Sequence, residues 1–181
     1  MKYILKKASE RIQDDRKAVL AAVKSNGFEL EYASARLQDD KEVVLAAVRN
    51  EGWSFQYASA RLLDDKKVVL TAIKNCAVSL SSVSKSLQDD KEVVLSAVRN
   101  YPGALRYSSG RLQNNKEVVE TALTLNMGAV THANSEVLPK LNLALFTKEE
   151  REDLYKIYVS SSEGIKEDLF LHAKIKRHFL S

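Results

Sequence analysis

Hydrophobic and polar positions recur along this chain with a fixed spacing of 25 residues, from about residue 2 to residue 138. The clearest marker is a pair of acidic residues that begins at positions 14, 39, 64 and 89 and becomes Asn-Asn at 114. Apolar columns keep the same spacing, and the most uniform column consists of Ala22, Ala47, Ala72, Ala97 and Ala122. A period in this range is typical of stacked repeats, in which each unit buries its apolar face against the next.

The strongest predicted helix of each repeat follows the acidic pair. In the second repeat, Asp39 is placed to cap a helix and Glu42 to complete a capping box. Arg49 lies where the helix macrodipole favours positive charge. Asn50 and Gly52 are typical of a left-handed helix stop. The pattern predicts helices over 14–25, 39–50, 64–75, 89–100 and 114–125.

The second half of each repeat predicts a shorter helical element. Phe55, Ala58 and Leu62 fall on one face of a helix, whereas Ser59 could begin a separate turn. Either one short helix or two linked turns fits the pattern, and Trp53 is expected in the core. We therefore predict an all-α chain, a right-handed α-solenoid of about five 25-residue helix-hairpin repeats.

The repeat ends after Val137, and a C-terminal helical cap is predicted. Residues 1–138 form the tandem repeats and residues 139–181 the capping helices, within one continuous domain. Thr147 and Glu150 form a capping box that predicts a helix over 148–159, and a last helix is predicted over 163–180. Such a cap gives the end of a repeat array a polar outer face.

The cassette resembles a known family. D-D-K-E-V-V-L-x-A-V-R-N stands at 39–50 and 89–100, and G-x-x-L/F-x-Y-A-S stands at 27–34 and 52–59. Both are similar to the tandem helical repeat called domain of unknown function 4116. The resemblance implies helical repeats of the kind found in proteins of intracellular bacteria, including secreted effectors, and of protists. It implies no activity.

Composition and charge narrow the class of protein. Of the 181 residues, 45% are hydrophobic, which is enough for a continuous core, and the net charge of +4 is a mild excess. The first residues lack the apolar stretch of a signal peptide, and no run of 18 apolar residues predicts a membrane span. We expect a cytoplasmic protein, in its own cell or a host cell, that does not bind a membrane. The single cysteine excludes an intrachain disulfide.

The paired carboxylates are the most conspicuous candidates for chemistry, since such pairs can bind metal or transfer protons. They recur once per repeat at a predicted helix start, however, and this placement predicts helix caps rather than an active site. The histidines have no metal-site spacing, Cys76 has no identifiable base, and no glycine-rich phosphate loop is present. We predict no enzyme, no cofactor and no metal site.

Tyrosine and arginine columns are the candidate binding residues. The two columns are four residues apart, so a continuous helix would join them into an aromatic–cationic strip of the composition found in interface hot spots. The predicted partner-binding residues are Tyr32, Arg36, Tyr57, Arg61, Arg106, Tyr107 and Arg111. The alternative is structural: the tyrosines pack between repeats and the arginines bond to acidic caps of neighbouring repeats.

The function that this pattern favours is non-catalytic binding of another protein. The alternative is binding of single-stranded RNA, because helical repeats can read one base per unit with two or three side chains. Nucleic acid is the less favoured partner, since Ser82 interrupts the tyrosine column. The sequence defines neither the identity of the partner nor the oligomeric state.

Overall fold

The computed structural model describes residues 4–75, 77–161 and 169–180. All regular elements over these residues are helical, which confirms the predicted all-α class. Contacts divide the chain into two compact units, Met1–Gln88 and Asp89–Ser181. Each unit is described by itself below.

Each repeat contains three helical segments, because the second half of the repeat forms two linked turns, one of the two alternatives that the sequence left open. The longest segment is a ten-residue α-helix, present as α1 (Arg16–Ser25), α2 (Lys41–Asn50), α3 (Lys66–Asn75), α4 (Lys91–Asn100) and α5 (Lys116–Leu125). The next is a six-residue 3-10 segment, present at Gly27–Tyr32, Gly52–Tyr57, Ala77–Ser82, Pro102–Tyr107 and Met127–His132. The last is a single α-turn, present at Glu10–Gln13, Ala35–Gln38, Ala60–Leu63, Lys85–Gln88 and Gly110–Gln113.

An extended residue separates the 3-10 segment from the α-turn. Ala58 has φ −72° and ψ 155°, so the 3-10 segment stops there. Ser59 then caps the turn, because its hydroxyl accepts a hydrogen bond from the Leu62 N–H at 3.3 Å. Tyr57 and Arg61 therefore belong to different segments, and the continuous tyrosine–arginine face predicted from their spacing does not form.

The second acid of each pair, rather than the first, caps the long helix. Asp40 accepts hydrogen bonds from the Glu42 and Val43 N–H groups at 2.9 and 3.1 Å. The same position caps the other long helices through Asp15, Asp65, Asp90 and Asn115. The predicted cap at Asp39 is wrong by one residue, because two adjacent acids offer the same local signal. The predicted helix end at Asn50 is confirmed.

The long helices end without a left-handed residue. No described residue has a positive φ, and Glu51, which follows α2, is extended at φ −138°. Asn50 instead reaches back to the preceding repeat: it accepts from the Gly27 N–H at 2.8 Å and donates to the Lys24 carbonyl at 3.1 Å. The left-handed stop predicted at this position is therefore wrong.

The core of the first unit lies between consecutive long helices. α1 packs against α2 and α2 against α3, and Ala47 and Ala72 have no exposed surface. The 3-10 segments and α-turns add buried columns, which consist of Leu5, Leu30, Phe55 and Leu80 and of Leu37, Leu62 and Leu87. Trp53 is 47% exposed, so its expected place in the core is wrong.

The second unit joins the last repeats to the C-terminal helices. α4 packs against α5, while α6 (Lys148–Ser161) packs against the 3-10 segment Met127–His132. α7 (Leu169–Leu180) packs against α6 and against the short 3-10 turn Leu138–Lys140. The predicted division at residue 138 therefore lies inside this unit.

The capping box predicted at the start of α6 is confirmed. The Thr147 N–H donates to Glu150 Oε2 at 2.7 Å, and the Glu150 N–H donates to Thr147 Oγ1 at 3.2 Å. The start predicted for the last helix, residue 163, lies outside the described residues. In the part of the chain that the structure describes, no helix has both the length and the apolar character that crossing a membrane requires.

Candidate partner-binding surface

The first acid of each pair joins the α-turn that precedes it to the next α-turn along the chain. Arg61 donates from Nε to Asp39 Oδ1 at 3.1 Å and from Nη2 to the Asp39 carbonyl at 2.8 Å. The Ser59 hydroxyl donates to the same carboxylate oxygen. We call this contact, between the first acid and the residues 20 and 22 positions later, a polar rung.

The rung recurs through the first unit. Arg36 and Ser34 bond to Asp14, with Arg36 Nε 3.1 Å from Asp14 Oδ1. In the third rung Ser86 replaces the arginine, so Asp64 accepts from two serine hydroxyls. Ser59 and Ser84 thus have two roles, since each hydroxyl accepts from the backbone of its own α-turn and donates to the acid after the preceding α-turn.

Two of these rungs favour the ionised form of their carboxylates. The Ser34 hydroxyl, and next the Arg36 guanidinium, lower the pKa of Asp14 below its ordinary value. Ser59 and Arg61 lower the pKa of Asp39 in the same way. The first acids of these two pairs therefore serve as contacts between consecutive α-turns.

A second set of ion pairs links the long helices. Arg16 Nε lies 2.8 Å from Asp40 Oδ2, and its Nη2 lies 2.5 Å from Glu42 Oε2. The hydrogen bond from Arg16 is the main reason that the pKa of Asp40 is lowered. The hydrogen bonds to Asp40 and then Glu42 raise the pKa of Arg16. Asp40 thus contacts the preceding long helix and also caps its own helix.

Aromatic residues of the first unit gather on its 3-10 segments. We call Phe28, Tyr32, Trp53 and Tyr57 the aromatic surface; they lie on Gly27–Tyr32 and Gly52–Tyr57, which pack against each other. Trp53 is 47% exposed, and the other three side chains are partly exposed. A concavity of about 40 Å³ beside Trp53 is lined by Phe55, Gln56 and Ser82.

The arginines predicted to bind a partner lie on the α-turns next to this surface. Arg36 and Arg61 hold the rungs, yet each side chain is 62% exposed. Lys6 adds a cation 5.6 Å from the centre of the Tyr32 ring. The structure thus gives Arg36 and Arg61 an internal partner and leaves part of each side chain accessible, so their binding role stays a prediction.

The remaining predicted residues lie in the second unit. Arg111 repeats the rung, with Nε 3.0 Å from Asp89 Oδ1, and Ser109 and Arg111 lower the pKa of Asp89. The Arg106 guanidinium lies 4.6 Å from the centre of the Tyr107 ring. Burial, and next the charge of Arg106, lower the pKa of His132.

The last rung has reversed polarity, which sequence reasoning missed. Asn114 replaces the acid and Glu136 the arginine, and Asn114 Nδ2 donates to Glu136 Oε2 at 3.1 Å. Glu120, which stands in a leucine column, accepts from the Asn142 N–H at 2.5 Å. The signal was present in the sequence as two coupled changes 22 residues apart.

Metal and cysteine chemistry gain no support from the described residues. Across 4–75, 77–161 and 169–180, no group of three or more His, Cys, Asp or Glu side chains could hold a metal ion. Cys76 and the side chain of His172 lie outside what the structure describes. The absence of enzymatic activity stays a prediction.

Comparison with family models assigns the repeats. Residues 2–38, 40–88 and 90–137 match the model described as a domain of unknown function (DUF4116). The chain belongs to the DUF4116 family. The match at 40–88 covers two 25-residue repeats, so one DUF4116 match holds two long helices, α2 and α3. α6 and α7 lie beyond the matched residues.

No curated protein matches the chain, and no solved structure matches it.

Proposed function

We propose that this DUF4116 chain binds another protein without catalysis, as a right-handed α-solenoid of about five repeats. The aromatic surface of the first unit carries the proposal. Tryptophan, tyrosine and arginine are the residues most enriched in interface hot spots. This surface holds Trp53 and Tyr57, and the partly exposed Arg61 follows on the next α-turn. A cytoplasmic location, in its own cell or in a host, is part of the proposal, and a role within a secreted bacterial effector rests on the family resemblance alone.

Packing within the repeat does not require a tryptophan at position 53. The same column holds Gly103 and Gly128, and all three residues lie in 3-10 segments. Phe55, two residues later, is 2% exposed and fixes the segment in the core. The indole is therefore a large apolar group on a fixed backbone, which binds a partner with little loss of conformational entropy.

The test is recovery of proteins from a lysate with the full chain as bait, followed by mass spectrometry. Trp53→Ala is compared with Tyr101→Ala, which removes an aromatic side chain of similar exposure from the second unit. We expect Trp53→Ala to lose a protein that the wild type and Tyr101→Ala both retain. Equal recovery by all three proteins would contradict the proposal.

The arginines are tested separately because they have a structural role. Replacing Arg36, Arg61 and Arg111 by alanine removes the guanidinium from three rungs. A lower melting temperature with unchanged partner recovery assigns them to the stack alone. Loss of recovery at an unchanged melting temperature assigns them to the interface.

Single-stranded RNA is the alternative ligand, and the rungs weaken this alternative. Each of these arginines already faces a carboxylate, so less positive charge is left to neutralise phosphates. The proposal predicts no RNA binding at low salt. Specific binding with a steep decline as salt rises would favour the RNA function instead.

A further inference from the structure

A concave surface of about 300 Å³ in the second unit is lined by Pro139, Lys174, Arg177 and His178. It lies where α7 packs against the turn Leu138–Lys140. Among the residues that the structure describes, the lining includes three nitrogen-bearing side chains and no carboxylate. The site is outside the residues matched by the DUF4116 model, and it is independent of the aromatic surface.

Its cations differ from three others of the same unit, which are paired with carboxylates. Lys91, Lys116 and Arg111 each lie within 4 Å of a carboxylate, that of Glu117, Glu120 or Asp89. Lys174 and Arg177, by contrast, have no carboxylate within ion-pair distance in the described part of the chain, and both are exposed. An uncompensated pair of cations that faces a concavity attracts an anion.

The backbone that carries these side chains is fixed. Ile175 and Phe179 of α7 are 0% and 2% exposed, so they hold the helix on its unit. The His178 ring nitrogen Nε2 lies 3.2 Å from the Leu141 carbonyl oxygen, which links the helix to the loop after Pro139. Positions 174, 177 and 178 share one face of a helix, so the three side chains approach the concavity from the same side.

The geometry points to a binding site for a phosphate group, as a free phosphate or as a phosphomonoester. A guanidinium offers a planar fork of donors that matches two phosphate oxygens, and a lysine adds a mobile point charge. Arg177 and Lys174 provide these two kinds of donor side by side. Pro139 supplies an apolar wall, which favours a ligand with a small carbon framework next to the phosphate.

A structural role for the same side chains predicts a different result. Cations in the last turns of a helix stabilise the negative end of its macrodipole. Lys176 is exposed in the same part of α7 but does not line the concavity. It is therefore the matched control, because a role limited to the dipole applies to Lys176 as much as to its neighbours.

The experiment titrates the full chain with inorganic phosphate and monitors binding in ¹⁵N–¹H spectra. Sodium chloride keeps the ionic strength constant. We expect shifts confined to residues around 139–141 and 174–178, with a dissociation constant of about 1 mM, as is typical of a solvent-open ion site. In the double variant Lys174→Ala/Arg177→Ala we expect binding at least about tenfold weaker, because the charge-assisted hydrogen bonds to the phosphate oxygens are lost. Lys176→Ala should bind as the wild type does.

A second titration separates the sources of the phosphate group. The chain is mixed with phosphatidylcholine vesicles that either contain or lack phosphatidic acid, whose headgroup is a phosphomonoester. Binding to the acidic vesicles alone, lost in the double variant, supports the site and identifies a lipid source; binding of free phosphate alone supports a soluble source. The inference is overturned if neither probe binds at low salt, or if the double variant binds as well as Lys176→Ala.

Discussion

Small residues determine how closely neighbouring repeats approach. Gly27 has an ordinary negative φ, so backbone conformation does not demand a glycine there. A Cβ built on it would lie 2.5 Å from the Ala47 carbonyl oxygen and 2.8 Å from the Glu51 Cβ. Ala47 and Ala72 are fully buried between long helices. At the residue scale, steric room between repeats is the constraint that these positions satisfy.

Gly27→Ala should lower the stability of the protein, because the new methyl group meets the backbone of the next repeat. Such overpacking typically costs about 1–3 kcal/mol. Gly110→Ala is the matched control, since a Cβ there meets nothing within 4 Å and the corresponding residues are Ala35 and Ala60. It should leave stability unchanged or raise it by up to about 1 kcal/mol. Urea unfolding of both variants checks this, and equal effects would contradict it.

Ala72→Leu should also destabilise the stack, by about 1–3 kcal/mol, because Ala72 has no exposed surface. Ala21→Leu makes the same change on the exposed side of α1 and should alter the melting temperature far less. An unchanged melting temperature for Ala72→Leu would remove this residue from the core.

At the scale of elements, each polar rung connects an α-turn to the acid at the end of the preceding α-turn. The rungs explain why two acids occur together: the first accepts from the following α-turn and the second caps its own helix. The sequence predicted the helices and their ends because caps and apolar periodicity are local signals. It could not separate the roles of two adjacent acids, because the partners of Asp39 lie 20 and 22 residues away.

The rungs make stability depend on pH. The pKa values of Asp14, Asp39 and Asp89 are lowered in the folded protein, so their contribution is present above the unfolded pKa of about 3.9. It is lost as the pH falls below that value and through the lower folded pKa. Melting temperature should therefore fall as the solution is acidified below about pH 4.

The variant Asp39→Asn tests whether the rung causes this dependence. It should melt at a lower temperature than the wild type at neutral pH and lose less on acidification. Glu149→Gln is the control, since Glu149 is exposed and takes part in no rung. Parallel pH curves for wild type and Asp39→Asn would show that the rung does not contribute.

The reversed last rung predicts that the side chains at positions 114 and 136 must be complementary. Asn114→Asp places a carboxylate opposite Glu136 and should destabilise the second unit, whereas the double variant Asn114→Asp/Glu136→Arg restores the rung of the other repeats. A double-mutant cycle should give a favourable coupling of about 0.2–1 kcal/mol, the range of exposed ion pairs. Zero coupling would mean that the side chains at 114 and 136 act independently.

At the scale of the whole molecule, the sequence predicted the class of fold better than the candidate surface. The 25-residue period revealed a repeat protein, because stacked repeats place equivalent residues in equivalent surroundings. The predicted binding surface required one helix to run from Tyr57 to Arg61. The extended Ala58 instead ends the 3-10 segment before Arg61. The exposure of Trp53 was equally hidden, because an aromatic residue in an apolar column has the same pattern whether it faces inward or outward.

The most direct test of the partner-binding account is hydrogen–deuterium exchange of the full chain, free and bound to the protein that it recovers. The account predicts slower exchange in Gly27–Tyr32 and Gly52–Tyr57 on binding, and no such change when Trp53→Ala is mixed with the same protein. Protection confined to the second unit, with Gly27–Tyr32 and Gly52–Tyr57 unchanged, would contradict it.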